Sequence, residues 1–132
     1  MRRIKNIVLV LMLLLSMSLA VLGQKVPENV LMGLKTGNAQ ELSKNFSDNI
    51  ELVVLENDNV YSKAHAQQII ADFFKDYPPQ DFTLIHQGGK EDASYAIGNL
   101  HVKNEKFRVY FLIKSNNGQS LVHQLRIERQ TK

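Results

Sequence analysis

The chain has no cysteine and no tryptophan, and only three prolines in 132 residues. Without cysteine it has no disulfides and no lipid anchor on a cysteine, so it must hold together by packing alone. Metal-ligand spacings are missing too: there is no His-x-His, no His-Glu-x-x-His and no carboxylate loop of calcium-binding type. No glycine-rich stretch precedes a helix, which removes a phosphate cradle, and no serine nucleophile elbow occurs. Neither a metal nor a cofactor is expected.

An excess of one charge is also missing once the N-terminus is set aside. Residues 1–23, MRRIKNIVLVLMLLLSMSLAVLG, carry Arg2, Arg3 and Lys5, then an apolar run from Ile7 to Leu15, then small residues. This is the pattern of a secretory signal peptide, with cleavage expected after Gly23 and export to the periplasm or beyond. The apolar run is short for a stable membrane span. Removing the segment takes three basic residues and no acidic ones, so 16 Lys plus Arg against 13 Asp plus Glu becomes 13 against 13. The basic pI therefore belongs to the leader, and nothing points to nucleic acid as a partner. Residues 24–132 are long enough for one domain with one core.

Pro27 opens a short helix that Gly37 ends, and Asn38 caps a second helix with Glu41 at capping-box spacing. Leu42 and Phe46 supply the apolar side of that second helix. Residues 50–55 read as a strand, 56–59 (ENDN) as a turn, and Val60–Tyr61 as a brief pairing. Ser62 caps a third helix over 63–77, where Ala66, Ile69, Ile70, Phe73, Phe74 and Tyr77 make one apolar stripe. Pro78 and Pro79 stop it. Strands follow over 82–87, 95–102, 107–114 and 120–128. Strict alternation predicts that Phe111 faces His123, Val109 faces Leu125 and Phe107 faces Ile127, with Leu121, His123, Leu125 and Ile127 looking inward. Asn116–Gly118 is expected to be a three-residue hairpin loop.

The stretches GNAQELSKNFSDNIELVV, VYSKAHAQQIIADFF and FRVYFLIKSNNGQSLVHQLRIE resemble the nuclear-transport-factor-two-like superfamily, a cystatin-like (SnoaL-like) cone. More narrowly, they are similar to a family of small secreted bacterial domains of unknown function. The fold class expected is α+β: three helices packed on a curved, mainly antiparallel sheet of five to six strands. The resemblance implies a pocket at the open end of the cone. It leaves activity open, since some members are isomerases or dehydratases and many only bind.

The alternating pattern puts His86 and His123 on the concave face, so the candidate pocket is lined by His86, His123, Phe74 and Phe111, with Tyr61 at its mouth. Two imidazoles in an apolar cavity suit proton transfer near neutral pH. Histidines held idle by hydrogen bonds fit the same pattern, and no aspartate partner accompanies them. Asp72 reads as solvated. No catalytic residue is therefore assigned, and binding of a small ligand or a protein partner without turnover is expected ahead of isomerase- or dehydratase-like chemistry. A third reading is an interaction module acting through the convex sheet face. There Tyr95, Ile97, Tyr110, Leu112 and Val122, with Arg126 on the rim, are expected to form a homodimer surface.

Overall fold

The apolar stripe that starts at Ala66 needs a surface to lie on, and the strands provide one. The computed structural model describes residues 2–17 and 26–130. Over these the chain forms α1 (Arg2–Met17), α2 (Glu28–Thr36), α3 (Ala39–Ser43), β1 (Phe46–Val54) and β2 (Asn57–Ser62). It continues with α4 (Lys63–Asp76), β3 (Asp81–Gly89), β4 (Ala93–Val102), β5 (Glu105–Asn116) and β6 (Gln119–Arg129). The strands make one sheet in the order β2-β1-β6-β5-β4-β3. Every neighbouring pair is antiparallel except β1 and β6, which run parallel. The fold is α+β, with α2 and α3 ahead of the first hairpin and α4 inserted between β2 and β3, rather than three helices in succession.

Local chemistry sets the helix ends. The Asn38 side chain accepts from the Glu41 backbone N–H at 3.0 Å, and Ser62 Oγ accepts from the His65 N–H at 3.3 Å. Gly37 ends α2 in the left-handed region at φ 69°. Gly33 lets α2 touch α3 backbone to backbone, since a Cβ there would lie 2.6 Å from Leu42 Cβ. The buried face of α4 is Ala66, Ile70, Phe73 and Phe74. It covers an inner sheet face of Ile50, Leu52, Leu100, Phe107, Val109, Phe111, Ile113, Leu125 and Ile127, all essentially inaccessible to water. Phe46, expected on the second helix, is the first residue of β1 and also fully buried. The turn after β1 comes earlier than composition suggested: Val54 pairs with Asn57, so Leu55 and Glu56 form the loop. The β5–β6 hairpin is tighter than expected, closing on Asn117 and Gly118, both with positive φ, between the paired Asn116 and Gln119.

The expected C-terminal register is corrected by two residues. Phe111 pairs with Leu125, Val109 with Ile127 and Phe107 with Arg129. Leu112 then opposes Gln124 while Ile113 opposes Val122, so His123 is an extra, bulged residue. A bulge of this kind reverses which face the following residues occupy. Val122, not Leu121, enters the core at 0% exposure. A second bulge falls in β3, where Leu84 pairs with Gly98 and His86 with Ile97, leaving Ile85 unpaired and exposed.

Helix α1 stands apart, with Ile4, Ile7, Val8, Leu9 and Val10 exposed. Among the described residues no helix is long and apolar enough to cross a membrane. The expected cleavage point after Gly23 lies outside the described residues.

Candidate functional site

The two bulges undo the histidine pocket. His86 follows the first and pairs with Ile97, whose side chain belongs to the outer face. Its Nε2 lies 3.0 Å from the Tyr95 hydroxyl on the same outer face. His123, in the second, is half-exposed. Its pKa is held below the ordinary 6.5, first by partial burial and then by the charge of Lys114. Phe74 and Phe111 are core residues, 6% and 0% exposed; Phe74 borders a hollow beside the α2–α3 turn, with Asn38, Gln67 and Lys75, and neither histidine lines it. Tyr61 pairs with Ile50 and packs edge-on against His65, ring centroids 4.9 Å apart. The structure therefore does not bring His86, His123, Phe74 and Phe111 together around one space.

The interior of the cone is closed by aromatic packing. Phe73 meets Phe107 edge-on at 5.0 Å, and Tyr77 meets the same ring at 5.1 Å. Arg129 lies over both Tyr77 and Phe107, 5.5 and 5.6 Å from the ring centroids. Its guanidinium donates to the Tyr77 hydroxyl at 2.8 Å and to Glu105 Oε1 at 2.6 Å. These partners, Tyr77 foremost, hold the Arg129 charge above its ordinary pKa.

Outside this plug a hollow of about 830 Å³ remains open. The last two turns of α4 form one wall through Ile69, Asp72, Phe73, Asp76 and Tyr77. Val53, Val54, Leu55, Glu56 and Asn57, at the β1–β2 turn, form the second. Arg126, Glu128 and Arg129 of β6 complete it. Both guanidinium groups are already engaged, Arg126 with Glu128 at 2.7 Å and Arg129 with Glu105. Leu55 holds φ at 55°, a left-handed conformation that a branched side chain rarely adopts, and it presses against the core while lining the hollow. Sequence reasoning missed Leu55, Asp76 and Arg129. The i,i+4 repeat of Asp72 and Asp76 was visible, but a solvated helix flank gives the same signal. Among the described residues no group of three or more His, Cys, Asp or Glu could hold a metal ion.

The outer sheet face has its own order. Register aligns His86, Ile97, Tyr110, Arg126 and Val53 in one row across five strands. Tyr95, Leu112 and Gln124 lie in the next. Tyr95 and Tyr110 stack with centroids 6.4 Å apart, and Tyr95, Ile97, Tyr110 and Leu112 are all half-buried. Val122, expected here, is on the opposite face because of the bulge.

Comparison with known protein families matches residues 27–128 to the domain of unknown function DUF4783. The chain belongs to this family. It is 33% identical to a DUF4783 protein from Bacteroides ovatus ATCC 8483, whose crystal structure superposes with a TM-score of 0.76 over 83% of this chain and 100% of that one. More distant structures share the fold alone. A Nostoc punctiforme protein of unknown function with a cystatin-like fold is 14% identical, with a TM-score of 0.61 over 79% of this chain and 85% of that one. Rd1NTF2_04 with long sheet is 16% identical, with a TM-score of 0.60 over 76% and 94%. Comparison with curated proteins gave no match. The DUF4783 family thus has an NTF2-like, cystatin-like fold, as the sequence resemblance implied.

Proposed function

We propose that this DUF4783 domain is exported and binds a small ligand, without turnover, in the hollow between the end of α4, the β1–β2 turn and the end of β6. The observation that carries the reading is the aromatic plug. Phe73, Tyr77 and Phe107 fill the cone, and the space left open is a solvent-facing hollow with an apolar wall and a charged rim. Its size falls within the range of small-molecule sites, and a few polar groups around apolar walls are their usual composition. Binding is favoured over proton-transfer chemistry because the two histidines that could serve as acid and base sit on other parts of the sheet. Export is supported by the basic start and apolar run of residues 1–23, and by a family match that begins only at residue 27.

Native mass spectrometry of the protein purified from its own host tests this reading. A bound small molecule is expected on the wild type and absent from Ile69→Trp, whose indole would occupy the hollow. A molecule that stays on Ile69→Trp would place the site elsewhere, and a wild type that carries nothing would count against the reading.

A second reading, homodimerisation through the outer sheet face, is favoured by the stacked Tyr95–Tyr110 pair set among half-buried Ile97 and Leu112, with the Arg126–Glu128 ion pair at the rim. An apolar patch ringed by charge is the usual anatomy of a protein interface.

A further inference from the structure

We propose that Arg129 is a stop that sets the length of the ligand the hollow accepts. This rests on the binding reading above and deepens it. The residue stands between two spaces. One is the hollow of about 830 Å³ that Tyr77 helps to line. The other, of about 620 Å³, lies at the β4–β5 turn among Gln80, His101, Val102, Glu105 and Lys106. Among the described residues Arg129 lines both. Its two terminal nitrogens divide along the same boundary. Nη2 donates to the Tyr77 hydroxyl of the first hollow at 2.8 Å, and Nη1 donates to Glu105 Oε1 of the second at 2.6 Å. The guanidinium thus spans from one wall to the other.

The surface under the guanidinium is where a longer ligand would go. Its central carbon lies 5.5 Å from the Tyr77 ring centroid and 5.6 Å from that of Phe107. Half-buried Leu55 and Ile69 line the first hollow, and Tyr77 follows Ile69 two turns on along the same side of α4. An apolar chain lying on Leu55 and Ile69 therefore meets the two ring faces next. To reach them it must displace a planar cation fixed at both ends by hydrogen bonds, one of them to a carboxylate. Losing a hydrogen bond to a charged group costs more than burying one CH2 returns, so the chain halts there. The barrier is a side chain alone. Arg129 is the last residue of β6, its side chain is 53% exposed, and its backbone is paired opposite Phe107. Truncation to alanine opens the passage and leaves the strand in place.

Alkyl maltosides from hexyl to dodecyl, titrated below their micelle concentrations and followed by calorimetry, separate the stop from the hollow. On the wild type, affinity is expected to rise with chain length and then level off where the chain meets Arg129. On Arg129→Ala the rise is expected to continue past that length, by about fourfold for each added CH2. Tyr77→Phe keeps the ring and removes the hydroxyl that holds Nη2, so its profile is expected to fall between the two; it carries the test if the alanine variant does not fold. The same length dependence in wild type and variants overturns the stop and leaves the hollow as a binding site. Binding that persists undiminished in Ile69→Trp, or failure of every chain length to bind, overturns both.

Discussion

Phe111→Ala separates a packed interior from a ligand cavity. In a pocket, Phe111 would already lack neighbours on one side, and truncation would cost about 1–2 kcal/mol from the contacts it does make. In this structure it is 0% exposed, paired with Ala96 and Leu125 on the inner sheet face beneath α4. Losing the ring gives up roughly 100 Å² of buried apolar surface, worth about 2.5 kcal/mol. A void of roughly 80 Å³ left behind adds about 2 kcal/mol if the surroundings do not collapse. The expected loss is therefore about 4 kcal/mol, a large fraction of the stability of a domain this size. It corresponds to a fall in melting temperature of about 20 °C. Urea unfolding measures it directly, as a lower midpoint with an unchanged slope. A loss below about 2 kcal/mol would refute the packed interior and restore the cavity.

Other outcomes follow from single contacts. Gly98→Ala should destabilise by about 1–3 kcal/mol through overpacking, since its Cβ would stand 2.4 Å from the Phe82 ring and 2.7 Å from the Thr83 carbonyl oxygen; thermal denaturation reads this. His123 has a folded-state pKa below its unfolded value of 6.5, so the unfolded chain binds the proton more readily and stability falls as pH drops below about 6.5. His123→Gln should flatten that part of the stability–pH curve while changing stability at pH 8 by less than about 0.5 kcal/mol, as expected for a half-exposed bulge residue. Tyr110→Glu should convert a dimer to a monomer in sedimentation velocity without unfolding it; a wild type that sediments as a monomer would remove the interface.

What the sequence revealed followed from periodicity and punctuation. The stripe from Ala66 to Phe74, the caps at Asn38 and Ser62, the stop at Pro78 and the strands that became β3 to β6 were legible because each depends on nearby residues. The candidate site was not, for a specific reason. The assignment of His86 and His123 to the inner face assumed unbroken period-2 alternation, and one extra residue at Ile85 and another at His123 defeat that assumption. Neither bulge carries a glycine or proline to announce it. Of the two-residue shift in the β5–β6 register, one residue comes from the tighter turn, with Asn116 paired to Gln119, and one from the bulge at His123; together they are even, so Leu125 and Ile127 keep the inner face. The hollow escaped because its walls come from α4, the β1–β2 turn and β6, which only the sheet order brings together. Arg129 looked like the polar end of a strand, and its place over Tyr77 and Phe107 depends on the tertiary meeting of α4 with β5 and β6.

The location of the ligand is the central claim, and backbone amide shift mapping by NMR, with the molecule that co-purifies added back to ligand-free protein, tests it most directly. The account predicts that the largest changes fall on Leu55, Ile69, Asp72, Phe73 and Asp76, with Phe111 and Leu125 unmoved. Changes centred on Tyr95 and Tyr110 of the outer face, or on Phe111 in the interior, would contradict it.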